Sequence, residues 1–508
     1  MPPRHAARRC RALPNARAFV FQVRLKFFQW AATDAATCLR RSHQGSKFCQ
    51  PLGGYNVGAS LAPITQPKDT IVVAAQMDGL ALFHDNSWGG AASAASLAGM
   101  VALAGMVSKD KDVAAREAAA QNVVFLAFQG EQFNNIGSSA FMNSVEQGQF
   151  PGGTENPLEV GNIKQWLELS SMALIGDSTN SAKTYAHGAS GTLMTSLATN
   201  GLATTSSTEL PPSSIKALRD WQPGWADVDA VVVGDYASQY SYNDATASET
   251  TGMNYRYTYN DNMRNLFGKI VNASSTDDLS TDMVHLCTSV CAMAKTVEEL
   301  AYGAAATDCT TGGTAMVECQ ALTWQLLKAM LVDGSMRVNV TKTPAFVEGA
   351  QGTADPINRY TSVYYDKIGK DPVEAFMFWH LSAALSSSMT TSTDTGYSCD
   401  QGDPEARTWH LTPTNNPEGK ANACFNTTAF FMPAVSPGLN GDLDGITNAS
   451  YSTWVESTWN DGAVDLFLIN DDSESNALLG VGLTYFVLVT AAVKYLSSVI
   501  SQVAAASN

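Results

Sequence analysis

Two carboxylates stand just past two apolar runs. Thr70-Ile-Val-Val-Ala-Ala-Gln-Met-Asp78 and Asn122-Val-Val-Phe-Leu-Ala-Phe-Gln-Gly-Glu131 each read as a buried strand that delivers an acid to its C-terminal end. In an open α/β sheet that edge is where ligands bind. Two acids there suit a cation, either a metal ion or an amine. The run Gln-Phe-Asn134-Asn135-Ile136-Gly137-Ser138-Ser139 after Glu131 supplies polar groups and a glycine beside the second acid.

A catalytic metal is the more demanding choice. Zinc needs at least three protein ligands, and a cocatalytic pair about five. Cocatalytic zinc aminopeptidases of this α/β type place a His-x-Asp after one strand, an Asp in a glycine-containing loop and Glu-Glu after another strand. The chain is similar to that layout, yet Gln76 stands at the histidine position and Gly89-Gly-Ala-Ala-Ser-Ala-Ala-Ser96 has no acid. Glu131 keeps the general-base position, and its neighbour is Gln132. His84 and Asp85 read as solvated loop residues. No Gly-x-Ser-x-Gly is present, so the serines of Ile136-Gly-Ser-Ser139 read as capping groups of the next helix rather than nucleophiles. The expectation is no catalytic residue, no metal site and no cofactor.

The elements that must position these acids alternate. Strands are expected at Thr70–Gln76, Asn122–Phe128, Ser171–Gly176 and Asp229–Gly234. Helices are expected at Ala91–Val107, Gly137–Gln147, Ser190–Thr199, Ser280–Tyr302 and Thr314–Leu331. This rhythm predicts an α/β fold with a mainly parallel mixed sheet flanked by helices. Residues 390–428 read as a threonine-rich loop region.

The 508 residues carry a net charge of −16, and the first 33 contribute six Arg and one Lys with no acid, leaving −23 for the rest. An acidic body argues against nucleic acid. Residues 1–35 fit no leader pattern, since Arg24 and Lys26 interrupt the apolar stretch, and they are expected to be an atypical or wrongly assigned N-terminus. Residues 36–470 read as one lumenal lobe and 471–476 as a short stalk. Residues 477–500 read as a transmembrane helix continued past a snorkelling Lys494, and 501–508 as a cytoplasmic tail. Among nine cysteines, Cys38/Cys49, Cys309/Cys319 and Cys399/Cys424 are each spaced to close short loops. Sequons at Asn272, Asn339, Asn426 and Asn448 join them in pointing to an oxidising, lumenal compartment.

Taken together, Ala36-Thr-Cys-Leu-Arg-Arg-Ser42, Tyr55-Asn-Val57, Val124-Phe-Leu-Ala-Phe-Gln-Gly-Glu131, Ile136-Gly-Ser-Ser139, Pro211-Pro-Ser-Ser214 and Tyr451-Ser-Thr-Trp-Val-Glu-Ser457 resemble the nicastrin family, in the family's order. Asp465-Leu-Phe-Leu-Ile469 and the terminal span match it too. The resemblance implies an aminopeptidase-like lobe without hydrolysis, in a glycoprotein subunit of the γ-secretase complex. Such subunits stabilise the complex and admit type I membrane proteins already trimmed to short ectodomains. The implied partners are a presenilin-type aspartyl protease, the other γ-secretase membrane subunits and membrane lipid. The implied location is the endomembrane system (ER, Golgi) and cell surface. Glu131, Asn134, Asn135, Ile136, Gly137, Ser138 and Asp78 become the implied substrate contacts, with Glu131 either pairing with a substrate α-amine or capping backbone amides. Phe83 is the implied receiver of the family's lid. The family carries Asp-Tyr where this chain has Asn134-Asn135, which removes one charge and one aromatic platform. The alternatives are a membrane-tethered zinc aminopeptidase and an unrelated lumenal interaction glycoprotein.

Overall fold

A computed structural model describes residues 20–29, 34–42, 49–80, 87–151, 157–172, 184–205, 210–211, 213–234, 280–333, 338–340, 343–345, 357–361, 363–364, 371–392, 408–411, 422–457, 459–469 and 472–506. They divide into two compact units, residues 32–456 and the two chain ends, 1–31 with 457–508.

The larger unit is organised by an eight-stranded mixed sheet. In chain order its strands are β1 (Gly54–Ser60), β2 (Thr70–Gln76), β3 (Asn122–Phe128) and β4 (Ile163–Leu169), then β5 (Tyr185–Gly188), β6 (Ala203–Thr204), β7 (Asp229–Gly234) and β8 (Phe430–Ala434). Their spatial order is β8-β1-β3-β2-β4-β7-β5-β6. The central four, β3, β2, β4 and β7, are parallel. Beside them β1 runs antiparallel to β3, β5 antiparallel to β7 and β8 antiparallel to β1. The flanking helices are α1 (Ala95–Ser108), α2 (Ile136–Glu146), α3 (Thr192–Thr199), α4 (Ser214–Trp221), α5 (Ser280–Tyr302), α6 (Thr314–Lys328) and α7 (Pro372–Leu385).

Alternation along the strands sorts the core into two layers, because successive side chains leave opposite faces. Ile71, Val73, Ala75, Phe125, Ala127, Leu167 and Leu169 pack on one side with α1, α5, α6 and α7. Val72, Ala74, Val124, Leu126, Phe128 and Trp166 pack on the other with Phe141 of α2, Ile215 and Leu218 of α4, and Trp225. Phe128 stacks on Trp166 at 5.9 Å. The helix α1 is apolar all round and buried, as befits the central helix of a layer. Its small residues allow close approach: a Cβ on Gly99 would lie 3.4 Å from Val290 and 3.5 Å from Leu169.

Several expectations are corrected. The strand expected at Ser171–Gly176 is instead β4, Ile163–Leu169, while Ser171 and Met172 lie beyond it and 173–176 fall outside the described residues. Lys164, Gln165 and Glu168 break the apolar run that marks a buried strand. The helix start expected at Ala91 is a π-helical turn, Gly90–Ala94, before α1. The loop region of 390–428 contains strands Thr408–Leu411 and Asn422–Thr427, joined with Ser388–Ser392 in a three-stranded sheet.

Cys38 pairs with Cys49 as its spacing suggests. Cys309 and Cys319 do not pair with each other. Cys319 bonds Cys287 and Cys309 bonds Cys291, so two successive turns of α5 are stapled to α6 and the connecting loop. Short sequence spacing misled here because a long helix offers cysteines four residues apart on one face.

The pairing expected between Cys399 and Cys424 is not tested, because Cys399 lies outside the described residues; Cys424 is a strand residue, within Asn422–Thr427. That strand is the central one of its sheet, with Cys424 opposite Thr390 on one side and Leu411 on the other. The flanking strands, Ser388–Ser392 and Thr408–Leu411, include threonines that favour strands but read as loop when taken one segment at a time.

In the second unit, Val20–Gln29 pairs antiparallel with Trp459–Ile469. Helix α8 (Asp472–Ala506) contains Leu479–Ser497, long and apolar enough to cross a membrane and exposed along its length.

Candidate functional site

The site begins with register. Strands β2 and β3 run parallel with Gln76 opposite Phe128, so the segments after them leave the sheet side by side. Asp78 is buried there, and its two oxygens each accept a backbone N–H, from Glu131 and from Gln132, both at 2.9 Å. One carboxylate thus holds the start of the 3-10 turn Glu131–Phe133 that follows β3.

That turn is framed by left-handed residues: Gly130 at φ 77°, Asn134 at φ 65° and Asn135 at φ 57°. Asparagine visits this region more readily than most side chains, because its short amide can bond locally. The two asparagines therefore suit the backbone that this turn requires. Asn135 is the N-cap of α2 without a side-chain capping bond.

Glu131 is 3% exposed. Its Oε1 accepts the Ser138 N–H at 2.8 Å, and its Oε2 accepts the hydroxyls of Ser138 at 2.9 Å and Ser214 at 2.7 Å. Ser138 lies in the first turn of α2, so the carboxylate caps that helix, and the serine expected to cap it serves as the carboxylate's partner. Ser214 opens α4 and donates its own N–H to Glu168 on β4, at 3.1 Å to Oε2. Glu131 and Glu168 therefore stand at two helix N-termini, where negative charge is favoured, bridged by one hydroxyl.

Burial dominates the electrostatics. Desolvation pushes the Asp78 carboxyl from 3.8 up to about 7, against the pull of the Gln132 and Glu131 amides. It pushes Glu131 from 4.5 up to about 7, against its bonds from Ser214 and Ser138, with the Glu168 charge adding to the rise. Three of the roughly four lone-pair sites of the Glu131 carboxylate are taken by its own chain.

The implied contacts thus separate. Asp78, Glu131 and Ser138 form one buried network. Ile136 packs with Leu52 and Phe133. A Cβ on Gly137 would overlap Asn56 Oδ1 and the Gln129 backbone, so α2 approaches β1 at that point. Asn56 bridges the gap, donating to Gly137 O at 2.8 Å and accepting Gln129 N–H at 3.0 Å. Asn134 is exposed and Asn135 half-buried. Phe83, His84 and Asp85 lie outside the described residues.

Gln76 donates to the Asp78 carbonyl at 3.1 Å, and among the described residues the Gln132 side-chain amide has no hydrogen-bond partner. Among the described residues no group of three or more His, Cys, Asp or Glu could hold a metal ion. Sequence reasoning does not reach Glu168 and Ser214 as site residues. Ser214 carries a signal in Pro211-Pro-Ser-Ser214, whereas Glu168 lies in the strand expected too late in the chain.

Of the four sequons, Asn448 is exposed and its Oδ1 accepts the Ser450 N–H at 2.9 Å. Asn426 lies in the central strand of the three-stranded sheet with Oδ1 buried. Asn272 lies outside the described residues, and Asn339 is in strand Val338–Val340.

Comparison with known proteins places this geometry. The nicastrin large-lobe family model matches residues 69–276. Human nicastrin is 35% identical over 157 residues, 28% of this chain and 21% of that protein. Rat nicastrin is 25% identical over 500 residues, 90% of this chain and 65% of that protein. The matched region therefore spans less than two thirds of either relative. The crystal structure of the γ-secretase component nicastrin superposes with a TM-score of 0.58 at 19% identity, covering 88% of this chain and 73% of that one. The sheet that carries Asp78 and Glu131 is thus similar in sequence to the nicastrin large lobe and shares the fold of that crystal structure.

Proposed function

We propose that this chain is a non-catalytic, nicastrin-type subunit of a γ-secretase complex, anchored by α8 as a single-pass membrane protein. Its partners are a presenilin-type aspartyl protease and the complex's other membrane subunits. Its lobe lies on the lumenal or extracellular side, admitting type I membrane proteins with short ectodomains and excluding bulky ones by size.

One observation carries the reading. The two acids retained at the sheet edge are committed to the fold: Asp78 holds two backbone amides, and Glu131 holds an amide and two hydroxyls. A hydrolytic zinc centre would need those lone pairs and about three further ligands. With Gln76 and Gln132 at two of the ligand positions, the donor set does not suit zinc. Glu131 then acts as a positioning residue for the loop that presents Asn134 and Asn135.

Purification of the tagged full chain in mild detergent tests this. Recovery of a multi-pass presenilin-type protease is the expected outcome. Its absence, together with aminopeptidase turnover that needs zinc, would replace the subunit reading with a metallopeptidase.

A further inference from the structure

The two disulfides on α5 differ in what surrounds them. Cys287 and Cys319 are 0% and 3% exposed, and the Thr323 hydroxyl lies 3.7 Å from Cys287 Sγ and 3.6 Å from Met283 Sδ. That bond is sealed between two packed helices. Cys291 is equally buried, but its partner Cys309 is half-buried in the loop between α5 and α6. Residues 303–306, 308 and 310–312 of this loop are exposed, so an attacking thiolate reaches Sγ of Cys309 and of no other cysteine among the four.

Charged groups flank the accessible bond. Lys295 stands one turn beyond Cys291 on α5, at the four-residue spacing that makes helix side chains neighbours. Asp308 precedes Cys309. The Thr310 amide and hydroxyl hold the Asp308 carboxyl below its usual range, and the Lys295 charge adds to the pull. Lys295 is therefore within electrostatic reach of both ends of the bond. A neighbouring lysine lowers a thiol pKa, and a lower leaving-group pKa speeds exchange. Expulsion of Cys291, a poor leaving group in an apolar setting, is the step that gains from it.

We propose that Cys291–Cys309 is a thiol–disulfide exchange site for a dithiol reductant, with Lys295 as a positioning residue and Cys287–Cys319 holding α5 on α6 meanwhile. One thiolate of the dithiol attacks Cys309 Sγ and forms a mixed disulfide. The Cys291–Cys309 bond breaks with its electron pair passing to Cys291, which takes up a proton. The second thiol of the reductant then attacks the reductant's own bonded sulfur, closing a disulfide within the reductant and releasing Cys309 as a thiol. Two electrons and two protons thus pass from the dithiol to the chain. Glu298 still accepts the N–H groups of Ala306 and Thr307 at 2.8 Å each, so the reduced loop stays tied there and is released around Cys309. Thr307 and Asp308 share the wall of a cavity of about 520 Å³ with Met106 and Lys109, so that release widens it. The exchange uses no residue of the Asp78–Glu131 network, so its test stands apart from that of the subunit reading.

The test is timed reduction of the full chain in mild detergent by dithiothreitol, each sample quenched with iodoacetamide in denaturant and mapped by mass spectrometry. Cys291 and Cys309 should become alkylated at least about tenfold faster than Cys287 and Cys319. Hydrogen exchange over residues 308–313 should speed up in the singly reduced chain while α5 and α6 stay protected. Lys295→Met should slow the reduction by about threefold, and Lys295→Arg should restore it. Loss of both bonds in parallel, earlier loss of Cys287–Cys319, or survival of Cys291–Cys309 until the chain unfolds would overturn the site. Reduction of Lys295→Met at the wild-type rate would overturn the part assigned to the lysine.

Discussion

Asp78 and Glu131 are buried acids held by donors that their own backbone and serines provide, and the consequences can be read by titration. Asp78→Ala leaves two buried amides unpaired and should cost about 2–4 kcal/mol, measured by denaturant unfolding of the detergent-solubilised chain. The folded-state pKa of Asp78 is raised from 3.8 to about 7. The folded chain therefore holds this proton more tightly than the unfolded chain does. Its contribution to stability is fully present below the unfolded value and is lost as pH rises through about 7. Asp78→Asn should flatten that part of the profile between about pH 4 and 7, read as wild type minus variant. The difference matters because burial lowers the His380 pKa to about 3, and that contribution is lost as pH falls through the folded value. For Glu131, Glu131→Gln keeps an acceptor for the Ser138 amide. It should leave complex recovery unchanged and turnover of short substrates within about twofold, a change of less than 0.5 kcal/mol. A tenfold loss of turnover at unchanged Tm would instead assign this carboxylate to the substrate's amine.

At the scale of elements, the α5–α6 pair is held by covalent bonds as well as packing. Cys291–Cys309 and Cys287–Cys319 close loops of sequence separation 18 and 32. In the chain-entropy account each contributes about 3 kcal/mol. Lys111 adds a polar clasp, bonding Glu298 at 2.7 Å while Glu298 accepts the N–H groups of Ala306 and Thr307. Non-reducing peptide mapping should recover these two linkages and none between Cys309 and Cys319. Cys309→Ser should lower stability by about 3 kcal/mol in denaturant unfolding. A mapped Cys309–Cys319 bond would contradict the observed packing of α6 on α5.

At the scale of the molecule, the lobe's surface decides which sequons can be used. Asn448 is exposed in a turn, and Asn426 is paired on both sides within its sheet. Mass spectrometry of the full chain purified after expression through the ER should find glycan on Asn448 and an unmodified Asn426. Glycan on Asn426 would mean that its sheet forms only after modification.

How much was legible in the sequence follows from which forces are local. Thr70–Gln76, Asn122–Phe128, Asp229–Gly234 and Ser280–Tyr302 form as expected, because an uninterrupted apolar run or a helical period is written into neighbouring residues. The same runs fix the two acids at strand ends, with Gln76 and Gln132 beside them. Tertiary structure alone decided what the acids do. Ser214 reaches Glu131 across a sequence gap of 83, and Glu374 reaches Tyr55 across 319. Hydrogen bonds of that span depend on strand order and helix docking, which sequence spacing does not encode. Burial, and with it the raised pKa values of Asp78 and Glu131, likewise exists only once both layers have closed over the sheet.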